Sequence, residues 1–196
     1  GHVEVGLEEA VGVREQAVDV AAERVAAVVR EQAVDDATVL TCYDWHGTYG
    51  HPDHVKVHQV AHRAGELLAA AGDRVRVLDA TSNRDAMARM ISAARESGAD
   101  FGGPERDEAG EFDPNAGADD GNPFGEPEEV LTLCVDVTDW IDRKRESIAA
   151  HGSQVTDSSF FLSMPDEIFA LAFGQEWFIE PDRTPPHRTG WIFDDG

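Results

Sequence analysis

The sequence predicts an α/β fold, a mostly parallel sheet with flanking helices, on three observations. A β-branched and aromatic run of strand length, residues 37–43, leads into a polar loop and then a helical stretch at 53–71. A second such run, Val75-Arg76-Val77-Leu78-Asp79-Ala80, begins just after Gly72. Strand, helix and strand at this spacing form the unit of a doubly wound parallel sheet. Residues 13–31 carry an apolar stripe of Val13, Ala17, Val20, Val25 and Val28 or Val29, with Arg14, Glu15, Asp19, Glu23, Arg24 and Arg30 mostly off it. That pattern suits a helix covering one face of a sheet.

The remaining elements follow in order. Residues 1–12 carry no decisive pattern. Residues 84–96 read as a helix, weakly amphipathic through Met87, Met90 and Ile91. From Ser97 to Glu129 the composition turns to Gly, Pro, Asp, Glu and Asn. A loop of that length is functional or disordered, so 97–129 is read as a mobile acidic insertion or a lid. Its end, 118–125, reads as more ordered, and Asp119 and Asp120 are read as solvated acids rather than ligands. Residues 130–137 predict a strand broken by Asp136. A helix over 140–151 turns Ile141, Ile148 and Ala149 inward and Lys144 and Arg145 partly outward, and Gly152 provides its stop. Residues 160–164 form a short apolar run. A helix over 167–173, opened by Pro165 or Asp166, and a strand over 176–180 complete a single domain, 1–196. Glu176 is read as a partly exposed strand carboxylate, and Trp191-Ile192-Phe193 as a docking or subunit-contact segment.

Charge narrows the partners. The formal net charge is −23, from 39 acidic and 16 basic residues, and only Lys56 and Lys144 are lysines. Such a surface repels nucleic acid and anionic membranes. The same composition is expected of a salt-adapted, halophilic source, because high salt screens self-repulsion. Cys42 and Cys134 lie in apolar runs without metal spacing, as buried thiols of a reducing cytoplasm do. No apolar run approaches the ~20 residues of a membrane span. The thiols make a cytoplasmic location the expectation, and no secretory leader pattern is read at the start.

The chemistry concentrates in Tyr43-Asp44-Trp45-His46-Gly47-Thr48-Tyr49-Gly50-His51-Pro52-Asp53-His54. This loop joins a strand's carboxyl end to a helix start, where ligands bind in open α/β sheets. Five of the eight histidines, His46, His51, His54, His58 and His62, lie here or just beyond. Pro52 suits a first helical turn. His54, His58 and His62 recur every four residues and share a helix face. His58 and His62 are read as half-buried or hydrated helix-face residues. His51 and His54 are read as site residues, because two imidazoles and the Asp53 carboxylate meet at one helix N-terminus. Asp53 can also orient an imidazole by a hydrogen bond.

Tyr49-Gly50-His51-Pro52-Asp53-His54, with Val55 and His58 behind it, resembles the second signature of the LmbE-like, or PIG-L, zinc N-deacetylases. That family includes the de-N-acetylase of N-acetylglucosaminyl-phosphatidylinositol and the deacetylases of the mycothiol pathway. Val135-Asp136-Val137-Thr138-Asp139-Trp140, Lys144 and Ala150-His151-Gly152-Ser153-Gln154 resemble its later helix and Ala-His-x-Ser-Gln motif. Ala172-Phe173-Gly174-Gln175-Glu176-Trp177-Phe178 resembles its C-terminal Gly-x-Glu-x-Phe stretch. The resemblance covers most of residues 15–180.

One departure stands out. The family opens with a strand and an Ala-His-Pro-Asp-Asp-Glu type motif, which supplies a His and an Asp to zinc and an Asp as general base. No His-Pro-Asp precedes residue 51, and Gly1-His2-Val3-Glu4 is no substitute. The expectation is therefore the C-terminal part of a Rossmann-like family member whose first strands are missing. It would be little active alone and exposed along a sheet edge that favours homo-oligomers.

What the resemblance implies is zinc-dependent hydrolysis of an N-acetyl group from a small-molecule N-acetylated sugar conjugate of the N-acetylglucosamine type. Zinc is the implied cofactor, with another divalent metal as the alternative. His54 would be the surviving metal ligand. His51 would stabilise the oxyanion or protonate the leaving amine, Asp53 would orient His51, and Tyr49 would assist at the carbonyl oxygen. Two alternatives stand beside this reading. One is a non-catalytic sugar-binding remnant of the family. The other is a metal site rebuilt from His46, His51, His54 and His58.

The charge balance makes a first prediction. The melting temperature is expected to rise from dilute buffer to molar salt, and a melting temperature independent of salt would remove the salt-adaptation reading.

Overall fold

A computed structural model describes residues 7–32, 38–97, 113–151, 162 and 164–194. Helix α1 spans Leu7–Gln32, strand β1 Thr38–Tyr43, the single turn α2 Gly47–Gly50, and helix α3 Pro52–Ala70. Strand β2 spans Val75–Thr81 and helix α4 Arg84–Ser97. Strand β3 follows at Leu133–Asp136, helix α5 at Ile141–Ala149, helix α6 at Asp166–Phe173, and strands β4 and β5 at Gln175–Ile179 and Arg188–Thr189. These elements match the expected series closely. The largest boundary differences are α1, which begins before residue 13, and β3, which is shorter than 130–137. The shortening has a local cause. Pro127 opens a short 3-10 turn, Glu128–Val130, and regular pairing is delayed to Leu133.

The sheet order is β1-β2-β4-β3-β5. β1 runs parallel to β2, and β3 parallel to β5, while β4 is antiparallel to both β2 and β3. Four strands thus point one way and β4 alone is reversed, giving an α/β fold with a mostly parallel, mixed sheet. β1 is an edge strand among the described residues, where the self-association expected from the sequence would begin.

Alternation along the strands builds two cores, because successive side chains point to opposite faces. Leu78, Leu133, Val135, Val137 and Phe178 form one, with Val39, Ala80 and Ile192 against them. On the other face Leu40 and Val75 pack beneath Ala22 and Ala26 of α1 and Ala64 and Leu68 of α3. Small residues on the two helices allow them to lie close to each other and to the sheet. α3 ends at Gly72, whose φ of +89° is the left-handed conformation that glycine adopts freely.

Charged groups lock the far ends. Arg76 grips Glu180 with two bonds, Nε to Oε1 at 2.7 Å and Nη2 to Oε2 at 2.9 Å, and Nη1 donates to the Ile192 carbonyl at 2.9 Å. The aromatic tail therefore docks through Ile192, while Trp191 and Phe193 stay exposed. Lys144 donates to the Phe173 carbonyl and lies 3.0 Å from Glu176. Arg145 donates to the carbonyls of Leu162 and Met164 and covers the Phe169 ring at 4.1 Å. Lys144 thus binds α5 to α6 and β4, Arg145 binds it to α6, and the partly exposed Glu176 carboxylate has a partner.

Cys42 and Cys134 are buried free thiols, as expected. No helix among the described residues is long and apolar enough to cross a membrane. Gly1–Glu4, Gly152–Gln154, residues 160 and 161 and residues 98–112 of the acidic loop lie outside the described residues.

The Arg76–Glu180 pair yields a prediction. Arg76, then Arg183 and Arg188, hold the Glu180 carboxyl below its ordinary value of 4.5 against the opposing effect of burial. A depressed carboxyl contributes stability above its unfolded pKa and loses it as pH falls. Arg76→Met is expected to cost about 3 kcal/mol, the low end for a broken buried pair because Arg183 still reaches Glu180. Urea unfolding at neutral pH and at about pH 4 should show the penalty shrinking in acid.

Candidate functional site at the carboxyl ends of β1 and β2

The loop after β1 is held by one buried carboxylate. Asp44 continues the ladder by donating its N–H to the Ala80 carbonyl at 3.1 Å. Its side chain is fully buried. Oδ1 accepts the Thr48 N–H at 2.7 Å, and Oδ2 accepts the Thr81 hydroxyl at 2.5 Å. These bonds hold Gly47 and Thr48 at φ +71° and +68°, so a non-glycine residue sits in the left-handed region. Backbone of that kind persists where its surroundings over-determine it, most often at functional sites.

The turn presses the loop against α3. A Cβ at Gly47 would meet the His54 Cβ at 2.6 Å. The Gly47 carbonyl lies 3.2 Å from His54 Nδ1, and the His54 ring stacks on Tyr43 at 3.8 Å with an interplanar angle of 6°. Tyr49 meets the same ring edge-on at 5.1 Å, and the His51 and His54 centroids are 4.9 Å apart. The structure therefore brings Tyr49, His51 and His54 together. Asp53 is placed differently. Its side chain is exposed, and its contact with His51 is through the backbone, whose N–H donates to His51 Nδ1 at 3.2 Å.

These contacts set the tautomers. A neutral His51 that accepts at Nδ1 carries its proton on Nε2. A neutral His54 that donates Nδ1–H to the Gly47 carbonyl keeps a lone pair on Nε2. One ring is thus ready to donate and its neighbour to ligate or accept, and a carbonyl partner of this kind is what orients metal-binding histidines.

The end of the acidic loop closes over the turn. Asp119 N–H donates to the Tyr49 carbonyl at 3.2 Å and Gly125 N–H to the Thr48 carbonyl at 2.7 Å. Gly50, at φ +89°, leaves 2.6 Å between its Cβ position and the Asp120 nitrogen. The order read into 118–125 is thus present. Asp120 is more engaged than a solvated acid. Asn122 holds its carboxyl below the usual range, and Oδ2 lies 3.4 Å from Nδ1 of the buried His46. That Nδ1 has no hydrogen-bond partner among the described residues.

A second constellation lies farther down α3. Cys42 and Asp79 are register partners on β1 and β2, so they point to one face, and His58 and His62 reach them from the helix above. Asp79 Oδ1 accepts the Cys42 thiol at 3.0 Å and His62 Nε2 at 2.7 Å, with His58 Nδ1 at 3.6 Å. His58 Nδ1 also donates to the Tyr43 carbonyl at 2.9 Å. Burial alone would raise the Asp79 pKa, but bonds from His58, His62 and Cys42 hold it far below the carboxylate range. Burial and then Asp79 push the Cys42 thiol far up. Burial would lower the His58 pKa, but Asp79 and the Tyr43 carbonyl raise it.

These four are a group able to hold a metal ion, with their ligand atoms all within 4.8 Å of one another. They are the only such group among the described residues, so His46, His51, His54 and His58 do not form one. His58 and His62 are half-buried on the helix face, as read. Sequence reasoning missed that Cys42 and Asp79 meet them there. The available signal was the parallel register, which places Cys42 beside Asp79 once the two strands are aligned.

No family model matches the chain. Curated relatives do. A 1D-myo-inositol 2-acetamido-2-deoxy-alpha-D-glucopyranoside deacetylase of Acidothermus cellulolyticus is 34% identical over 144 residues, which are 72% of this chain and 44% of the relative. A protein of the same name from Nocardiopsis dassonvillei is 35% identical over 163 residues, 82% of this chain and 54% of the relative. The chain is a homologue of the LmbE-like deacetylases. A third relative so named, from a Nocardioides species, is 30% identical over 167 residues, 81% of this chain and 51% of the relative. This LmbE-like chain spans about half the length of the curated relatives it matches.

Gly50 tests the closure. Gly50→Ala places a Cβ against the Asp120 backbone and strains a left-handed residue by about 1–2 kcal/mol. Amide exchange at Asp119 and Gly125 is expected to accelerate while the α3 core amides stay protected. Unchanged exchange at both loop amides would contradict the packing.

Proposed function

We propose that this chain carries the His-Pro-Asp-His part of an N-deacetylase, a metal-dependent amide hydrolase acting on a small N-acetylglucosamine-type conjugate. The observation that supports it most is the joining of Tyr49, His51 and His54 at the carboxyl end of β1, in a chain whose relatives are named deacetylases of an acetamido-glucopyranoside of inositol. The relatives' names favour N-acetylglucosaminyl-inositol as the substrate.

Zinc is the proposed metal of the loop, and His54 its one ligand among the described residues. A catalytic zinc takes three protein ligands, so the loop alone does not complete a site. The chain's own residues still divide the work. His51 offers Nε2–H to the acetyl oxygen as negative charge develops on it. The Asp53 N–H, bonded to His51 Nδ1, fixes the ring. Tyr49, edge-on to both imidazoles, is proposed to assist at the carbonyl oxygen. The docked end of the acidic loop is proposed as a lid over these groups. Two buried free thiols support a cytoplasmic location.

Acetate release from N-acetylglucosaminyl-inositol tests the reading, with this chain alone and with it joined to the N-terminal portion of a relative that carries the His-Pro-Asp-Asp type motif. Little release is expected alone. The joined protein is expected to turn over, and His51→Ala to slow it by about a hundredfold or more with KM nearly kept. A joined protein that binds the sugar and never releases acetate would support the sugar-binding remnant instead.

A further inference from the structure

We propose that Cys42, His58, His62 and Asp79 bind a zinc-type divalent cation that ties α3 to β1 and β2. The proposal does not rest on the deacetylase reading, and its ligands exclude His54.

The donor set selects the ion. One thiolate, two imidazoles and one carboxylate suit zinc or cobalt, whereas calcium and magnesium take oxygen ligands. Charge agrees as well. A dication with one thiolate, one carboxylate and two neutral imidazoles is neutral overall, which suits a site where Cys42 and Asp79 are both buried. His58 and His62 are the more open side, at 19% and 31% side-chain exposure, and give an ion its way in.

The geometry is close to a coordination shell. Bond lengths of about 2.0–2.3 Å imply ligand-to-ligand edges of about 3.3–3.8 Å in a tetrahedron. The distances to Asp79 Oδ1 are 3.0 Å from Cys42 Sγ, 2.7 Å from His62 Nε2 and 3.6 Å from His58 Nδ1. Small side-chain rotations open the first two to those edges. The frame resists larger drift, because Cys42 and Asp79 are paired across the sheet and the two histidines sit one helical turn apart with ring centroids 4.2 Å apart.

The protons balance. The ion takes the place of hydrogens that now point at Asp79. The Cys42 thiol proton leaves to water as the sulfur–metal bond forms, and the His62 proton moves from Nε2 to Nδ1 through solvent. His58 must give up its bond to the Tyr43 carbonyl and move its proton from Nδ1 to Nε2 through solvent to coordinate through Nδ1, so it is the weakest of the four ligands.

Cobalt and zinc loading of the purified chain test this. After zinc loading and dialysis, about one equivalent is expected to remain. The cobalt form is expected to show the near-ultraviolet thiolate charge-transfer band and the strong visible bands of a tetrahedral site. Cys42→Ser should remove the thiolate band, His62→Ala should release the metal, and His58→Ala should weaken binding by about 10–100-fold. His54→Ala should leave stoichiometry and spectrum unchanged. Zinc should also raise the melting temperature of the unaltered chain but not of Cys42→Ser. No retained metal in a folded chain, bound cobalt without a thiolate band, or metal lost in His54→Ala and kept in Cys42→Ser would each overturn the proposal. The wild-type cobalt spectrum decides the matter even if a variant fails to fold.

Discussion

The buried carboxylate of Asp44 is the constraint on which the rest of the loop depends. It sits where β1 ends and accepts from Thr48 on the loop and Thr81 at the end of β2. Two parallel strand ends and one turn are therefore joined at a single side chain. An unpaired carboxylate at this depth would cost several kcal/mol, so the bonds it collects are obligatory. They hold the left-handed Gly47–Thr48 pair, and that pair places the Gly47 carbonyl against His54.

From this anchor the polarity of one sheet face changes along the strands. Leu40 and Val75 lie under the small residues of α1 and α3. Next come Cys42 and Asp79 beneath His58 and His62, and last Asp44 and Thr81 beneath the histidine loop. The apolar end supplies the rigid packing, and the polar end uses it to fix imidazoles within hydrogen-bond reach of buried acids. A site that must hold defined tautomers needs such a scaffold, because each ring nitrogen takes its role from the partner of the other.

Local features were legible in the sequence. The strand at 37–43 and the helix that follows it are written in β-branched residues, Pro52 and Gly72. Ligand binding at the strand's carboxyl end follows from the same order of elements. Features that need register or long-range docking were not legible. Nothing near Cys42 announces Asp79, since their meeting depends on the alignment of two strands separated by a helix. The reversal of β4 has no signature in Gln175–Ile179. The approach of Asp120 to Gly50 could be guessed only from a glycine at a crowded turn. Asp53 shows the opposite case, a residue placed correctly whose contact to His51 runs through its backbone rather than its carboxylate.

The loop sets two neighbouring histidines in opposite tautomers, His51 to donate and His54 to ligate or accept. Long-range nitrogen–proton NMR of histidine-labelled protein near neutral pH tests it most directly, with His51→Ala and His54→Ala for assignment. The proton of His51 is expected on Nε2 and that of His54 on Nδ1. The reverse assignment, or rapid exchange of both rings between tautomers, would contradict it.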